Sequence, residues 1–212
     1  MRLCDKITYM PDKHPNHNRL YDLASAQAGY FTGRDATRSG FNSWLVDYHV
    51  RRGRFERVGR GLYRLRNFPV SPDGEIAAAW LAAGAKNAII SHDSALALHD
   101  LGNVSPSAVH ITVPRSSRWR SARSIPGVHL HTTTHPLPPE DVIVQRGVRV
   151  TTAERAILDS AQRGLDPEEL ARVAKEAIER GWTSAARLKR RAVRYGARVE
   201  RLISQSLDRR SS

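Results

Sequence analysis

The stretch FNSWLVDYHVRRGRFERVGRGLYRLRNF, Phe41 to Phe68, decides the fold. Its first part, about Ser43 to Arg52, is spaced as a helix with two opposite stripes. Val46, His49, Val50 and Gly53 recur at i, i+3, i+4 and i+7, while Trp44, Asp47, Tyr48 and Arg51 repeat that spacing on the far side, at roughly 100° of turn per residue. The first stripe predicts burial, with His49 a packing histidine and not a ligand. The second points Trp and Tyr outward, where water disfavours them, so either a DNA groove covers them or another domain or the N-terminal arm does. Arg54 to Val58 and Leu62 to Arg66 then read as two strands around Gly59-Arg60-Gly61, whose glycines supply the positive φ angles of a tight hairpin. Helix followed by hairpin is the order of parts at the end of a winged helix-turn-helix.

The residues upstream supply the rest of that motif. From Asn18, Leu20, Leu23, Ala24 and Gln27 fall on one helical face that ends at Gly29. Thr32 with Asp35 forms a capping box for a second short helix, Gly40 stops it, and only Phe41-Asn42 separates it from the third. A winged helix-turn-helix is therefore predicted over residues 18–68, after an irregular arm at 1–17 that contains Pro11 and Pro15.

Charge points the same way. The 212 residues carry 34 Lys plus Arg against 21 Asp plus Glu, a formal net charge of +13, and only five of the cations are lysine. Such a balance favours a polyanion, and arginine suits bidentate contact with phosphate and guanine. Arg34 to Arg66 holds nine arginines against three acids, so this sixth of the molecule carries about half the net charge. The expected partner is double-stranded DNA, each neutralised phosphate adding roughly one unit to the log-log salt slope. A single cysteine, Cys4, fits a reducing cytoplasm, and no apolar run approaches the ~18 residues that span a bilayer, so no membrane association is expected.

Asn67 to Pro72 breaks both helix and strand and is read as a domain boundary, leaving residues 69–212 as a mixed α/β domain with a helical C-terminus. The fold class is thus α+β. Ser71 or Asp73 is positioned to cap DGEIAAAWLAAGA; Ala88 to Ile90 predicts a strand, and Ser91 a cap for HDSALALHDLG. Further strands are expected at 109–114, 128–134, 141–144 and 148–150, with a basic loop at 115–123. Thr151 with Glu154 forms a capping box, and Asp166-Pro167-Glu168-Glu169 starts another helix with a cap, a first-turn proline and two acids. Beyond Thr183 a basic segment divides at Gly196. Its Leu188, Ala192, Val199, Leu202 and Ile203 turn inward, while Arg187, Arg190, Arg191, Arg194, Arg198 and Arg201 turn outward. With Arg115, Arg118, Arg120 and Arg123 of the basic loop, these form a candidate second basic surface for nucleic acid or an acidic partner, or a solvated face.

No catalytic constellation emerges. His92-Asp93-Ser94 has the letters of a hydrolase triad, but sequence neighbours on a helix point about 100° apart. His129 and His131 share a strand face near His135, yet no carboxylate or cysteine stands at metal-ligand spacing. None of the lysines follows an acid by two places as an Asp/Glu-x-Lys nuclease needs, and GxxxxGK is absent. No enzyme, metal or cofactor is expected.

The blocks RLYDLASAQAGYFTGRDATRSGF, VRRGRFERVGRGLYRL, ISHDSALALHDLG, VHITVPRSSR and GVRVTTAERAILDSA resemble the AbiEi family of bacterial antitoxins and regulators, from about Leu20 to Ala161. The resemblance implies an N-terminal winged helix that represses its own operon at inverted repeats and a C-terminal domain that counters a nucleotidyltransferase toxin encoded alongside. It places DNA contacts at Arg34, Arg38, Asn42, Ser43, Trp44, Asp47, Tyr48, Arg51 and Arg52, and at the wing residues Arg54, Arg57, Arg60 and Arg64. A stand-alone regulator, or an interaction protein that binds RNA or an acidic partner, is the alternative reading.

Overall fold

The structure is a computed structural model that describes residues 14–116 and 127–208. Most of the 1–17 arm, and Arg118, Arg120 and Arg123 of the basic loop, lie outside the described residues.

The first unit is three helices against a small sheet. Helix α1 (His17–Ser25) is capped by the Asn16 side chain; α2 (Gly33–Arg38) has the full Thr32/Asp35 capping box; α3 (Ser43–Arg51) starts where Asn42 Oδ1 accepts from the Leu45 amide at 2.8 Å. Strands β2 (Phe55–Gly59) and β3 (Leu62–Leu65) form the hairpin. A third strand, β1 (Tyr30–Thr32), was not anticipated: it pairs antiparallel with β3, Phe31 opposite Tyr63, giving the order β1-β3-β2. Three residues between two glycines show too short a pattern to announce a strand. It exists because β3 offers it a hydrogen-bonding edge.

Strand alternation gives this sheet two buried faces. Phe31, Phe55 and Tyr63 join Leu20, Ala24, Ala36, Phe41 and Val46 in one apolar core, whereas Leu62, with Tyr30 packed beside it, belongs to the larger core of the C-terminal half. The element that covers this second face is α4 (Gly74–Ala82), which packs on β1 and β3.

That larger core lies between a five-stranded mixed sheet and a helical layer. The strands β4 (Ile89–Ile90), β5 (Val109–Pro114), β6 (Val128–Thr133), β7 (Val142–Gln145) and β8 (Val148–Thr151) stand in the order β6-β5-β4-β8-β7. Parallel pairs β5/β6 and β4/β8 alternate with antiparallel pairs β4/β5 and β7/β8. The helices are α5 (His92–Leu98), α6 (Ala153–Arg163), α7 (Pro167–Glu179), α8 (Ala185–Ala192) and α9 (Ala197–Asp208). Leu170, Val173, Ala174 and Ala177 of α7, and Leu188, Ala192, Val199 and Ile203 of the basic segment, are buried as their spacing requires. Gly196, at φ +91°, separates α8 and its terminal 3₁₀ turn from α9.

Three expected caps are corrected. Asp73 precedes α4 but makes no capping bond; its carboxylate instead takes Arg146 at 3.0 Å, a partner from the β7–β8 turn. Ser91 Oγ does not cap α5, because it accepts the Thr112 hydroxyl at 2.7 Å. Thr152, not Thr151, caps α6, since Thr151 is the last residue of β8. Glu154 is consequently free of capping and is buried, where it receives Arg187 at 2.8 Å and Arg191 at 3.3 Å. Asp141, 1% exposed, takes Arg191 at 2.7 Å and Arg155 at 3.3 Å, and Asp159 receives Arg155 at 2.9 Å and the Tyr195 hydroxyl at 3.1 Å. This ionic network ties the Pro139–Asp141 turn, α6, α8 and the 3₁₀ turn together. Burial is the largest influence on Asp159 and raises its pKa, against the opposing pull of Arg155.

Candidate nucleic-acid interface

Helix α3 presents the two stripes as its spacing predicts. Val46 is buried, Val50 half-buried, and His49, 3% exposed, packs its ring edge to face on His17 and tilted against Phe41 and Phe55. Burial lowers the pKa of His49, with His17 and Arg54 adding to the effect, so a neutral imidazole sits in this aromatic core. On the opposite side Trp44 is 65% exposed. Its ring stacks on Tyr48 with centroids 5.9 Å apart, and the Arg52 guanidinium lies 5.6 Å from the Tyr48 ring on the other flank. The ladder Trp44, Tyr48, Arg52 thus runs at i, i+4, i+8 along the outer face, and among the described residues no other domain covers Trp44.

Asp47 and Arg57 are joined to each other. The Arg57 guanidinium donates to Asp47 at 2.6 Å and lies 5.2 Å from the Tyr63 ring, which sets the wing at a fixed position beside α3. An exposed ion pair of this kind contributes little to stability, ~0–1 kcal/mol, so its consequence is geometric. The wing is also held at its tip, where the Gly33 amide donates to Gly61 O at 3.0 Å. Gly59 faces Leu62 across the turn, leaving Arg60 and Gly61 as its two central residues, and Gly61 has the φ of +69° that such a turn demands. Arg60 stands exposed at the tip.

The remaining arginines divide by geometry. Arg64 is folded back: its guanidinium donates to Phe68 O at 2.6 Å and Pro69 O at 3.2 Å and lies over the Tyr30 ring, which fixes the exit of the chain toward α4. Arg34 and Arg38 on α2, Arg51 on α3 and Arg54 at the foot of the wing are exposed and have no ion-pair partner among the described residues. Asn42 and Ser43, at the start of α3, are exposed as well, the Asn42 side chain being engaged in its cap. Arg66 joins this exposed set and was missed; its amide pairs with Arg54 O at 3.1 Å, placing both arginines at the base of the hairpin. The signal was its position two residues beyond Arg64 on a strand, the same side of the ribbon.

The described members of the second basic set differ in their partners. Arg115 is exposed at the end of β5, and Arg190, Arg194, Arg198 and Arg201 are exposed on the C-terminal helices. Arg187 is exposed too while it pairs with the buried Glu154; Arg191 instead turns to the buried Asp141 and Glu154, its side chain only 19% exposed. Spacing alone placed Arg191 outward; its two buried acids, contributed from distant sequence, draw it in.

The three residues His92-Asp93-Ser94 serve separate partners. Asp93 receives Arg163 at 2.7 Å, Ser94 Oγ accepts the His110 amide at 2.9 Å, and His92 Nδ1 lies 2.9 Å from Ser91 Oγ. His92, at φ +54°, stacks on His131 with centroids 3.6 Å apart, and His110 Nδ1 meets His131 Nε2 at 2.9 Å. Among the described residues no group of His, Cys, Asp and Glu is arranged to hold a metal ion. Burial is the first cause of the depressed pKa values, about 2 for His92 and about 4 for His110 and His131; neighbouring imidazoles and Arg163 reinforce it, and Asp93 opposes it at His110 and His131. The unfolded chain, with histidine near 6.5, binds more protons than the fold between that value and about 4. Stability from these neutral rings is therefore complete above the unfolded value and declines as pH falls through that window. Thermal melts from about pH 7 to about pH 5 should show a falling midpoint, and His131→Asn should flatten the slope; parallel slopes for variant and wild type would refute the assignment.

Comparison with known proteins bears on this unit first. Residues 18–66 match the profile of a family described as "Transcriptional regulator, AbiEi antitoxin". No curated protein matches the chain. Among solved structures, the crystal structure of RV2827C protein from Mycobacterium tuberculosis is similar in fold, with a TM-score of 0.55 at 16% identity, covering 90% of this chain and 75% of that one. Among the described residues no helix is long and apolar enough to cross a membrane. The segment that carries the capped helices, the two-faced α3 and the wing, 18–66, is the one that matches an AbiEi antitoxin transcriptional-regulator domain.

Proposed function

We propose that this chain is a DNA-binding autorepressor and antitoxin that works without chemistry. Residues 18–68 are its DNA-binding part and residues 69–212 the part that meets a cognate nucleotidyltransferase toxin. The observation that carries the reading is the set of exposed arginines without acid partners among the described residues, Arg34, Arg38, Arg51, Arg54, Arg60 and Arg66, on a domain of AbiEi regulator type. In this reading α3 enters the major groove with Trp44, Tyr48, Arg51 and Arg52 toward bases and phosphates, and Arg60 carries the wing to the adjacent groove. Asp47, Arg57 and Arg64 hold the wing and its exit in place and touch DNA little.

Two copies on an inverted repeat upstream of the chain's own gene would give autorepression. The antitoxin half is tested by expressing the product of the adjacent reading frame. A nucleotidyltransferase that arrests growth alone and is harmless when this chain is co-expressed is the expected result. Arrest unrelieved by this chain, or no such gene beside it, would reduce the protein to a stand-alone regulator.

A further inference from the structure

A cleft of about 630 Å³ opens between the Pro138–Asp141 turn, α6, α8 and the 3₁₀ turn that follows α8, on a part of the molecule built from elements other than the winged helix. Five arginines line it: Arg155, Arg187, Arg190, Arg191 and Arg194. Three of them are locked. Arg155 and Arg191 share Asp141, Arg155 also holds Asp159, and Arg187 and Arg191 share Glu154. These buried carboxylates, of which Asp141 also lines the cleft, balance the charge of the guanidinium groups and fix them, so the wall is rigid and its arginines lose little further freedom when a ligand arrives.

Arg190 and Arg194, one helical turn apart, are exposed on this lining and have no ion-pair partner among the described residues. Against them stands Glu140, an exposed carboxylate on the same lining, so beyond the locked pairs the cleft keeps a single net positive charge. The lining is not uniformly cationic: Asp141 and Glu140 add two carboxylates, Gln162 a neutral hydrogen-bonding group, and the Tyr195 ring, which carries Arg155 at 5.4 Å, an aromatic surface. Planar forks in a concave wall match the oxygens of phosphate groups. The volume lies within the roughly 300–1,000 Å³ of small-molecule sites and is that of a compact ligand, not of an extended acidic segment.

We propose that this cleft binds a small polyphosphate anion, either free or as the phosphate chain of a nucleotide, with Arg190 and Arg194 as its direct charge partners and Arg155, Arg187 and Arg191 as the preorganised wall. Calorimetric titration of the full chain with inorganic pyrophosphate and, separately, with a nucleoside triphosphate tests it. Both probes are expected to bind, and the double variant Arg190→Ala/Arg194→Ala to weaken them by about tenfold or more while its melting temperature stays near that of wild type, since neither residue holds a buried acid. Arg198→Ala/Arg201→Ala, outside the lining, is expected to leave affinity unchanged. A triphosphate that binds more tightly than pyrophosphate identifies the nucleotide as the source; equal affinity identifies the free anion. Absence of binding by both probes, equal weakening by the two double variants, or tighter binding of a glutamate-rich peptide would overturn the proposal.

Discussion

Phe31→Ala is expected to destabilise the winged helix by about 3–5 kcal/mol and to abolish binding to duplex DNA. Phe31 is fully buried; its ring meets Phe55 edge to face at 5.0 Å and stacks near Tyr63 at 5.6 Å, so truncation leaves a void between β1 and the wing. Neighbouring aromatic rings are poorly able to close such a void, which puts the loss in the upper part of the range for core truncations. Hydrogen exchange followed through β1, β2 and β3 is the suitable readout. Those amides should lose protection first while β5 and α6 retain theirs, because the larger core does not contain Phe31. Uniform loss across the chain would show that the two cores unfold as one unit, and a change below about 1 kcal/mol would show that β1 packs otherwise.

Asp141→Ala should lower the unfolding free energy of the C-terminal half by about 3 kcal/mol. Removing one member of a buried ionic cluster leaves its partners desolvated and under-neutralised. Here Arg191 keeps Glu154 and Arg155 keeps Asp159, so the loss falls at the lower end of the range for such deletions, about 3–5 kcal/mol. For a chain of this size that corresponds to a midpoint lower by roughly 6–12 °C. Calorimetry on the variant checks it; a midpoint within about 2 °C of wild type would mean the network is solvated.

These two sites also mark where the sequence was legible. Helix starts were readable at Thr32 and Asp166 because a cap is a local bond between residues two or three apart. The inside and outside of α3 were readable because helical periodicity sorts side chains by face. Strand β1 was not, since its reason lies across space in β3. Glu154 illustrates the same limit. Three residues after Thr151 it has the spacing of a capping box, yet its partners are Arg187 and Arg191, and no local pattern reports a contact across 33 or 37 positions. The division of the arginines was equally invisible: Arg57, Arg64 and Arg191 have the same composition and spacing as their exposed neighbours, and only the fold supplies Asp47, the Phe68 carbonyl and Asp141 to hold them.

In the proposed function, α3 and the wing read operator DNA. The most direct measurement is a titration of the full chain with duplex from upstream of its own gene and with random duplex, at several salt concentrations, for wild type and Arg51→Ala/Arg60→Ala. The upstream duplex should bind at least about a thousandfold more tightly than random sequence. The double variant should weaken that binding and reduce the log-log salt slope by about two units, with its fold intact. Equal affinity for both duplexes, or an unchanged salt slope in the variant, would contradict the account.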